Sequence, residues 1–222
     1  MRIRVASFNV QSLRSGIEPV RDVLADLAPD VAMLQECRSG RAAVRLAGSL
    51  RMAAASSHGP FSRVRNAVLY RPPWRVTEIE VRNLSRQGRT LRRGFIAAHL
   101  WQPGVRLTAI SVHLGLSGRE RERHARELTD FLSGVEGPIV VGADLNEGPT
   151  ASAVRWIGER FFDAFAQGGE GTGETFPAQA PTVRIDYLFV SDEIRIQRVW
   201  VPSDRPVSDH RPVVADLEFH GP

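Results

Sequence analysis

Polar side chains that could bind a metal ion or transfer a proton recur where apolar stretches of this sequence end. They occur at six places, and all of them supply carboxylate, amide or imidazole groups. One such residue is weak support, because a strand usually enters solvent through a polar residue. Six such places together favour a single site at the ends of strands. The candidates are Asn9, Glu36, His113, Asp144 with Asn146, Asp186, and Asp209 with His210.

The carboxylates and amides in this set suit a hard divalent cation. Mg²⁺ prefers oxygen ligands and keeps several waters, so a few carboxylates and a substrate phosphate complete its site. Glu36 follows an apolar stretch and is the leading ligand, while Asn9 could add an amide oxygen and Asp209 a second carboxylate. We therefore expect Mg²⁺ or Mn²⁺ as the cofactor.

The remaining candidates suit proton transfer and phosphate binding. In the motif GADLN, Asp144 and Asn146 would point the same way along an extended segment, one to orient a water and one to hold a phosphate oxygen. Histidine titrates near neutral pH and can bind a phosphoryl oxygen or protonate a leaving group, which makes His113 and His210 candidates. Asp186 could hold His210 in one tautomer. The pattern predicts hydrolysis of a phosphate ester.

Apolar periodicity predicts the elements that position these residues. The chain opens as β-α-β, with a strand at 3–8, a helix that ends before Pro29 and a buried strand at 31–35. Ser117 as N-cap, with Glu120 as its capping-box partner, predicts a surface helix. Four strands between residues 67 and 113 are expected to form one sheet with antiparallel pairs. Further elements are expected as helices at 40–50 and 151–157 and strands at 139–141, 185–190, 194–201 and 213–219.

Length and composition favour one globular domain that spans residues 1–222. The hydrophobic fraction of 42% fills one sizeable core, and two strand-rich halves with outer helices suggest an α/β sandwich. The first residues, MRIRVASFNV, lack the pattern of a signal peptide. No apolar stretch approaches the ~20 residues that span a bilayer. A cytoplasmic monomer without a transmembrane segment is the expectation.

All 29 basic residues are arginines, and the net charge is +4. Arginine forks bind phosphates well, so an anionic substrate fits, although a proteome-wide preference for arginine explains the composition equally well. The segment RNLSRQGRTLRRG could follow the phosphates of a nucleic acid, or it could be a solvated loop. Its arginines and two nearby ones are Arg82, Arg86, Arg89, Arg92 and Arg93, with Arg63 and Arg65.

Six segments stand in the order typical of the endonuclease/exonuclease/phosphatase superfamily, the DNase I-like metal-dependent phosphoesterases. They are SFNVQSL, DVAMLQE, SVHLGL, VVGADLNEGP, RIDYLFVS and VSDHRPVVADL, and they extend from Ser7 to Leu217. The resemblance implies a four-layer α/β sandwich in which two packed mixed β-sheets are flanked by helices, with Mg²⁺ or Mn²⁺ at the strand ends.

The matching motif positions imply a role for each candidate. Asn9 and Glu36 correspond to metal-site residues, and Asp209 to a direct or water-mediated ligand. The other implied roles are water orientation by Asp144, phosphate positioning by Asn146, phosphate contact by His113, stabilisation of pentavalent phosphorus by His210, and support of His210 by Asp186.

The resemblance also narrows the substrate. Abasic-site endonucleases usually carry tyrosine where His113 stands, so base excision is less expected. The segments HLGLSGRERERHARELTDFL and TFPAQAPTVRIDYLFVS resemble compact bacterial members and the sphingomyelinase-like branch more closely. Asn66 matches a Gly-Asn position of that branch with Arg65 in place of the glycine, and Asn66 and Arg93 are predicted to bind substrate.

Three hypotheses for the function remain. A nuclease that cleaves DNA or RNA is the leading one, and a phosphatase or phosphodiesterase for a small molecule or lipid headgroup is the alternative. The third is a binding module that lost the reaction. Retention of every candidate catalytic residue argues against the binding module.

Overall fold

The computed structural model describes residues 1–57, 64–86, 88–203 and 206–219, which form two β-sheets with helices outside them. The helices are α1 (Ile17–Leu27), α2 (Gly40–Ser49), α3 (Gly118–Leu132), α4 (Ser152–Gly158) and α5 (Ala164–Gly168), with a 3₁₀ helix at Gln11–Leu13. The strands are β1 (Arg2–Asn9), β2 (Val31–Gln35), β3 (Ala53–Ser56), β4 (Ala67–Tyr70), β5 (Arg75–Asn83), β6 (Gly94–Gln102), β7 (Val105–His113), β8 (Ile139–Asp144), β9 (Phe162–Asp163), β10 (Gly169–Glu170), β11 (Asp186–Val190), β12 (Ile194–Trp200) and β13 (Val213–Phe219).

Both sheets are mixed. The seven-stranded sheet has the order β10-β12-β13-β1-β2-β4-β3, and the six-stranded sheet has the order β5-β6-β7-β8-β11-β9. β1 pairs in parallel with β2 and antiparallel to β13, while β7 pairs in parallel with β8 and antiparallel to β6. In the described residues, no helix combines the length and apolar character needed to cross a membrane.

Three apolar clusters divide the molecule into four layers. The first lies between the sheets and joins residues such as Val5 and Met33 of one sheet to Val140 and Leu188 of the other. The second packs α3 and α4 on the six-stranded sheet, and the third packs α1 and α2 on the seven-stranded sheet. Because each sheet is covered on both faces, its central strands are largely buried and mostly apolar, as in the fully buried VAMLQ of β2. The expected four-layer sandwich is confirmed.

One expectation about the sheets was wrong, and one strand was missed. β4 does not share a sheet with β5, β6 and β7; it pairs with β2 and β3 in the other sheet. Strands that follow one another in the chain were expected to share a sheet, but long-range packing decides which strand a short apolar strand pairs with. β3 itself was not predicted, because its sequence AAAS has weak strand propensity and is stabilised by pairing with β4.

The start of α3 agrees with the sequence only in part. Ser117 caps the helix, since its hydroxyl accepts a hydrogen bond from the Glu120 backbone N–H at 3.3 Å. The Glu120 side chain is buried instead of exposed, and its Oε1 accepts a hydrogen bond from the Thr90 hydroxyl at 2.6 Å. The carboxylate therefore ties the helix to the segment that precedes β6 and does not act as a capping-box partner.

The two sheets approach closely beneath the polar strand ends. A Cβ at Gly142 of β8 would lie 2.6 Å from the Met33 Cβ and 3.0 Å from the Ser7 Oγ of the facing sheet. Beside it, the Gln35 amide donates to the Ser111 hydroxyl and the Gly142 carbonyl, both at 3.2 Å. The absence of a side chain at residue 142 thus allows polar contacts to join the sheets.

Gly142→Ala is expected to destabilise the protein by about 1–3 kcal/mol, because overpacking a close-packed interior costs that much. Urea unfolding followed by circular dichroism measures the change. Gly158→Ala, at the end of α4 where no atom lies within 4 Å of the added methyl, is the matched control and should be neutral. Equal stability of the two variants would mean that the sheets separate easily at this point.

Candidate active site

Neighbouring strands of the six-stranded sheet present three predicted site residues side by side. In the parallel β7–β8 pair His113 lies opposite Asp144, and in the antiparallel β8–β11 pair Asp144 lies opposite Asp186. These residues are only 4%, 1% and 0% exposed, respectively. Because β7 and β8 end where β11 begins, the three residues form one row at a single edge of the sheet.

Asp144 lies at the centre of the site. Its Oδ2 accepts a hydrogen bond from the Asn9 amide at 2.7 Å, and its Oδ1 accepts one from the Asn146 backbone N–H at 3.1 Å. The Nε2 atoms of His113 and His210 lie 3.1 and 3.9 Å from Oδ2. Burial alone would raise the pKa of Asp144, but the neighbouring imidazoles and the two hydrogen bonds outweigh burial and hold that pKa below its usual value. The carboxylate is therefore ionised.

His210 forms a buried pair with Asp186. The His210 Nδ1 donates to the Asp186 Oδ2 at 2.8 Å, and the Phe176 ring packs on the imidazole with centroids 5.0 Å apart. Burial alone would lower the pKa of His210, but Asp186 and the more distant Asp144 and Asp209 raise it to about 9. Burial also raises the pKa of Asp186, the charge and hydrogen bond of His210 oppose burial, and Asp144 adds to it, so the two groups titrate as a pair. The protonated Nε2 faces Asp144.

His113 is held in the opposite protonation state. Burial lowers the pKa of His113 to about 4, and Arg93 adds to this effect while Asp144 opposes it. The Arg93 guanidinium lies 2.8 Å from the His113 Nδ1, and since it can only donate, Nδ1 accepts and the ring hydrogen lies on Nε2. Nε2 faces Asp144 and lies 3.1 Å from the Asn146 amide nitrogen. One imidazole of the site is thus neutral and the other is charged.

Glu36 reaches the same cluster from the other sheet. It follows β2, and its Oε1 lies 3.6 Å from the Arg93 guanidinium and 3.8 Å from the His113 Nδ1. The backbone φ is +56° at Glu36 and +53° at Asn146, in the left-handed region that residues other than glycine rarely adopt. Such conformations cluster at functional sites, where the surrounding structure maintains them.

Asn9 and Asp209 complete the set. The Asn9 amide uses both ends, since its Oδ1 accepts from the Gln11 backbone N–H at 3.0 Å while its nitrogen donates to Asp144. The Ser208 hydroxyl donates to the Asn9 carbonyl at 2.7 Å, which fixes the segment that carries Asp209. The Asp209 side chain is 40% exposed, and its Oδ1 lies 4.0 Å from the His210 Nε2.

The predicted cation ligands and the tightest cluster of ligand atoms are different residues. Glu36, Asn9 and Asp209 offer oxygen atoms only, and the exposed parts of the two carboxylates could reach a cation, so this donor set fits Mg²⁺ or Mn²⁺. Their assignment as ligands stays a prediction. Among the described residues, one further group could hold a metal ion, with ligand atoms within 4.8 Å of one another: Asp144, Asp186 and His210.

Two supporting residues were missed by the sequence analysis. The Thr175 hydroxyl accepts from the Asp186 backbone N–H at 3.3 Å, and Ser208 anchors the segment that precedes His210. Ser208 could have been found, because it directly precedes the Asp209-His210 pair in the motif VSDHRP. Thr175 lies in a loop without periodicity, and no sequence signal indicates its contact.

A cleft of about 890 Å³ opens beside Glu36 and His113. Seven arginines line it, and Glu36 is the one acid among the described residues of its wall. We call it the arginine cleft and define it by Arg14, Arg38, Arg65, Arg86, Arg89, Arg92 and Arg93.

The two residues predicted to bind substrate both border the arginine cleft. Asn66 is 4% exposed, and its amide nitrogen donates to the Gly94 carbonyl at 3.1 Å and the Ser111 carbonyl at 2.9 Å. Of these two residues, Arg93, whose side chain is 10% exposed, both contacts Glu36 and lies in the cleft wall. Both roles stay predictions, and Arg63 lies outside the described residues.

Comparisons with known proteins identify proteins to which this chain is similar. YbhP of Escherichia coli strain K12 is 26% identical over 161 residues, which cover 69% of this chain and 62% of YbhP. The chain thus matches less than two thirds of that relative's length. The mannosyl-6-phosphatase Bt3783 of Bacteroides thetaiotaomicron superimposes with a TM-score of 0.87 at 20% identity, covering 98% of this chain and 100% of that one. TDP2 of D. rerio, complexed with single strand DNA product, superimposes with a TM-score of 0.80 at 16% identity, covering 98% and 99%.

At these identities the superpositions establish the DNase I-like fold. The family assignment rests on the sequence, since the family model for Endonuclease/Exonuclease/phosphatase proteins matches residues 6–210. That range includes every predicted catalytic and metal-binding residue. The chain therefore belongs to the endonuclease/exonuclease/phosphatase family, whose members are phosphoric ester hydrolases.

Proposed function

We propose that this chain is a divalent-metal-dependent phosphodiesterase with nuclease-type activity on DNA or RNA. The observation that carries the proposal is the buried, ionised Asp144, which lies between a neutral and a charged imidazole. A carboxylate with a purely structural role would need only one partner. Here Asp144 can accept a proton, and the charged imidazole of His210 beside it can donate one. Such opposite environments are typical of acid–base catalysis.

Each residue then has a defined task. Asp144 orients the attacking water and accepts its proton, because its carboxylate is held ionised and fixed by Asn9 and Asn146. His210 presents a charged Nε2–H to the phosphoryl oxygens and stabilises the negative charge that develops on them. Asp186 maintains that charge by accepting from Nδ1.

The neutral imidazole and the amide position the substrate. The His113 Nε2–H faces Asp144, and a bound phosphate oxygen would replace Asp144 as its acceptor while also accepting from the Asn146 amide nitrogen beside it. Arg93 determines which nitrogen of His113 carries the hydrogen. Glu36, Asn9 and Asp209 would hold the cation, which when bound stabilises phosphoryl charge and activates water.

Removal of divalent cations is expected to abolish hydrolysis of bis(p-nitrophenyl) phosphate, and Mg²⁺ or Mn²⁺ should restore it. Binding should also be visible without turnover, because a cation present at about 100 times its Kd stabilises the folded state by about 2.7 kcal/mol. Thermal unfolding with and without Mg²⁺ measures this, and Glu36→Gln should reduce the shift. Full activity in EDTA would contradict the proposed cofactor.

A phosphatase acting on a small phosphate ester is the second candidate. Its support is the superposition with Bt3783, a mannosyl-6-phosphatase, over nearly the whole of both chains. A phosphomonoester, plasmid DNA, single-stranded RNA and sphingomyelin assayed side by side separate the candidates. Absence of any nucleic-acid cleavage would remove the nuclease proposal in favour of the phosphatase.

A further inference from the structure

The arginine cleft has more positive charge than one phosphate ester needs. We infer that it is a binding site for further phosphates of the same substrate, and that this substrate is a single-stranded nucleic acid held by its phosphates and not by its bases. The inference rests on the proposed function, which requires only that one phosphate reaches Asp144 and His210. The rest of the substrate would then lie in the arginine cleft.

The charges of the cleft are available to a ligand. Arg38, Arg65, Arg89 and Arg92 are exposed and form no ion pair with a described residue. Some arginines outside the cleft do form ion pairs, as in the contact of Arg198 with Glu170 at 2.9 Å. Unpaired guanidinium groups gathered in one concave surface repel each other, and an anion that neutralises them relieves this repulsion.

The arginine segment before β6 is held in position by α3. The Thr90 hydroxyl donates to the Glu120 carboxylate at 2.6 Å, and the Ser85 backbone N–H donates to the Glu127 carboxylate at 2.9 Å. His124 contacts the Ser85 carbonyl at 2.7 Å through its Nε2. Because α3 fixes both ends of this turn, its arginines are presented towards the cleft by a supported element, which reduces the entropy that binding must overcome.

The cleft is continuous with the reaction centre. Arg93 lies in its wall and contacts both Glu36 and His113, so a phosphate bound at the other arginines adjoins the phosphate that reacts. Its volume of about 890 Å³ exceeds what one phosphate group fills. On the other side of the site, the surface next to Asp209 is lined by Gln11, Ser15 and Gln179, with no arginine among its described residues. The charge therefore favours a substrate that extends towards the arginine cleft.

The composition of the wall indicates what part of a nucleic acid is recognised. Apart from the imidazole of His113, no aromatic ring lies among the described residues that line the cleft, so this part of the wall offers no platform for stacking on bases. Contacts from guanidinium groups to phosphates are independent of sequence. A single strand can lay successive phosphates into a cleft, whereas a duplex presents them on a rigid convex surface, so the single strand is the better fit.

The test compares substrates that share the reaction but differ in length. The measured quantity is kcat/KM for a short oligothymidylate divided by kcat/KM for bis(p-nitrophenyl) phosphate. We expect this ratio to be at least about tenfold lower in the combined variant Arg65→Gln, Arg89→Gln and Arg92→Gln than in the wild type. The slope of log kcat/KM against log salt for the oligonucleotide should become shallower by about 2, at about 0.7 per phosphate contact. An oligomer of abasic sugar phosphates should be cleaved as fast as oligothymidylate.

Arg106→Gln is the matched control. It removes an exposed arginine at the start of β7, about 23 Å from His113 at about 3.3 Å per residue, and should leave the ratio unchanged.

If the wild-type protein hydrolyses both substrates and the combined variant keeps the wild-type ratio, the cleft is not the binding site. Slow cleavage of the abasic oligomer would overturn recognition by phosphates, and equal cleavage of a duplex would overturn the preference for single strands. Hydrolysis of neither substrate would instead overturn the proposed function.

Discussion

Asp144→Asn is expected to lower kcat/KM for bis(p-nitrophenyl) phosphate by about 10³-fold or more, which corresponds to about 4 kcal/mol of transition-state stabilisation. The asparagine amide keeps the size of the side chain but cannot accept the proton of a water. It also replaces an acceptor with a donor next to the Asn9 amide or the His113 Nε2–H, which both face the Asp144 carboxylate. Steady-state kinetics at saturating Mg²⁺ measure the loss.

A matched control distinguishes chemistry from folding. Asp192 follows the opposite end of β11, about 20 Å from Asp186 at about 3.3 Å per residue, and its side chain is exposed. Asp192→Asn should retain wild-type turnover, and both variants should keep the wild-type circular dichroism spectrum. A folded Asp144→Asn protein with unchanged turnover would remove the proposed mechanism.

His210→Ala is expected to reduce kcat by a comparable factor of about 10³, because it deletes the charged donor that faces the phosphoryl oxygens. Asp186→Asn should cost less, about 10–100-fold, since it removes only the partner that orients and charges the imidazole. The order of the two effects is itself informative: a larger loss for Asp186→Asn would mean that Asp186 acts on the substrate or the cation directly.

His99 provides the control for this pair. Its Nε2 lies 3.3 Å from the Glu80 carboxylate and its Nδ1 lies 3.0 Å from the Thr108 hydroxyl, so it is also a histidine held by an acid. Thr108 precedes His113 in β7, and this pair therefore lies outside the site. His99→Ala should keep full activity, and kcat for bis(p-nitrophenyl) phosphate in both histidine variants decides the comparison.

Local sequence predicted most of the elements because their periodicities are clear. The helix at 40–50 corresponds to Gly40–Ser49, and the strand at 31–35 corresponds to Val31–Gln35. The distribution of strands between sheets was harder to predict, since β4 is apolar on both faces and gives no indication of its partner. The pairing of β3 with β4 depends on contacts that no local pattern encodes.

The composition of the site was easier to predict than its contacts. Polar residues at strand ends were expected to converge, and the row from His113 through Asp144 to Asp186 follows directly from strand register. The contact between Arg93 and His113 could not be predicted, because Arg93 resembled its solvated neighbours in a basic segment. The burial of Glu120 could not be predicted for the same reason, because Glu120 lies among other charged residues in α3.

The ladder that joins β7, β8 and β11 constrains how this molecule can diversify. Interstrand hydrogen bonds hold neighbouring residues of this row one strand width apart, about 4.8 Å, so small sequence changes cannot alter the distance between them. The segments that surround it, which carry Arg38 and Arg89, belong to no such lattice. New substrates would therefore be acquired by exchanging peripheral loops while this row of strand ends keeps its spacing.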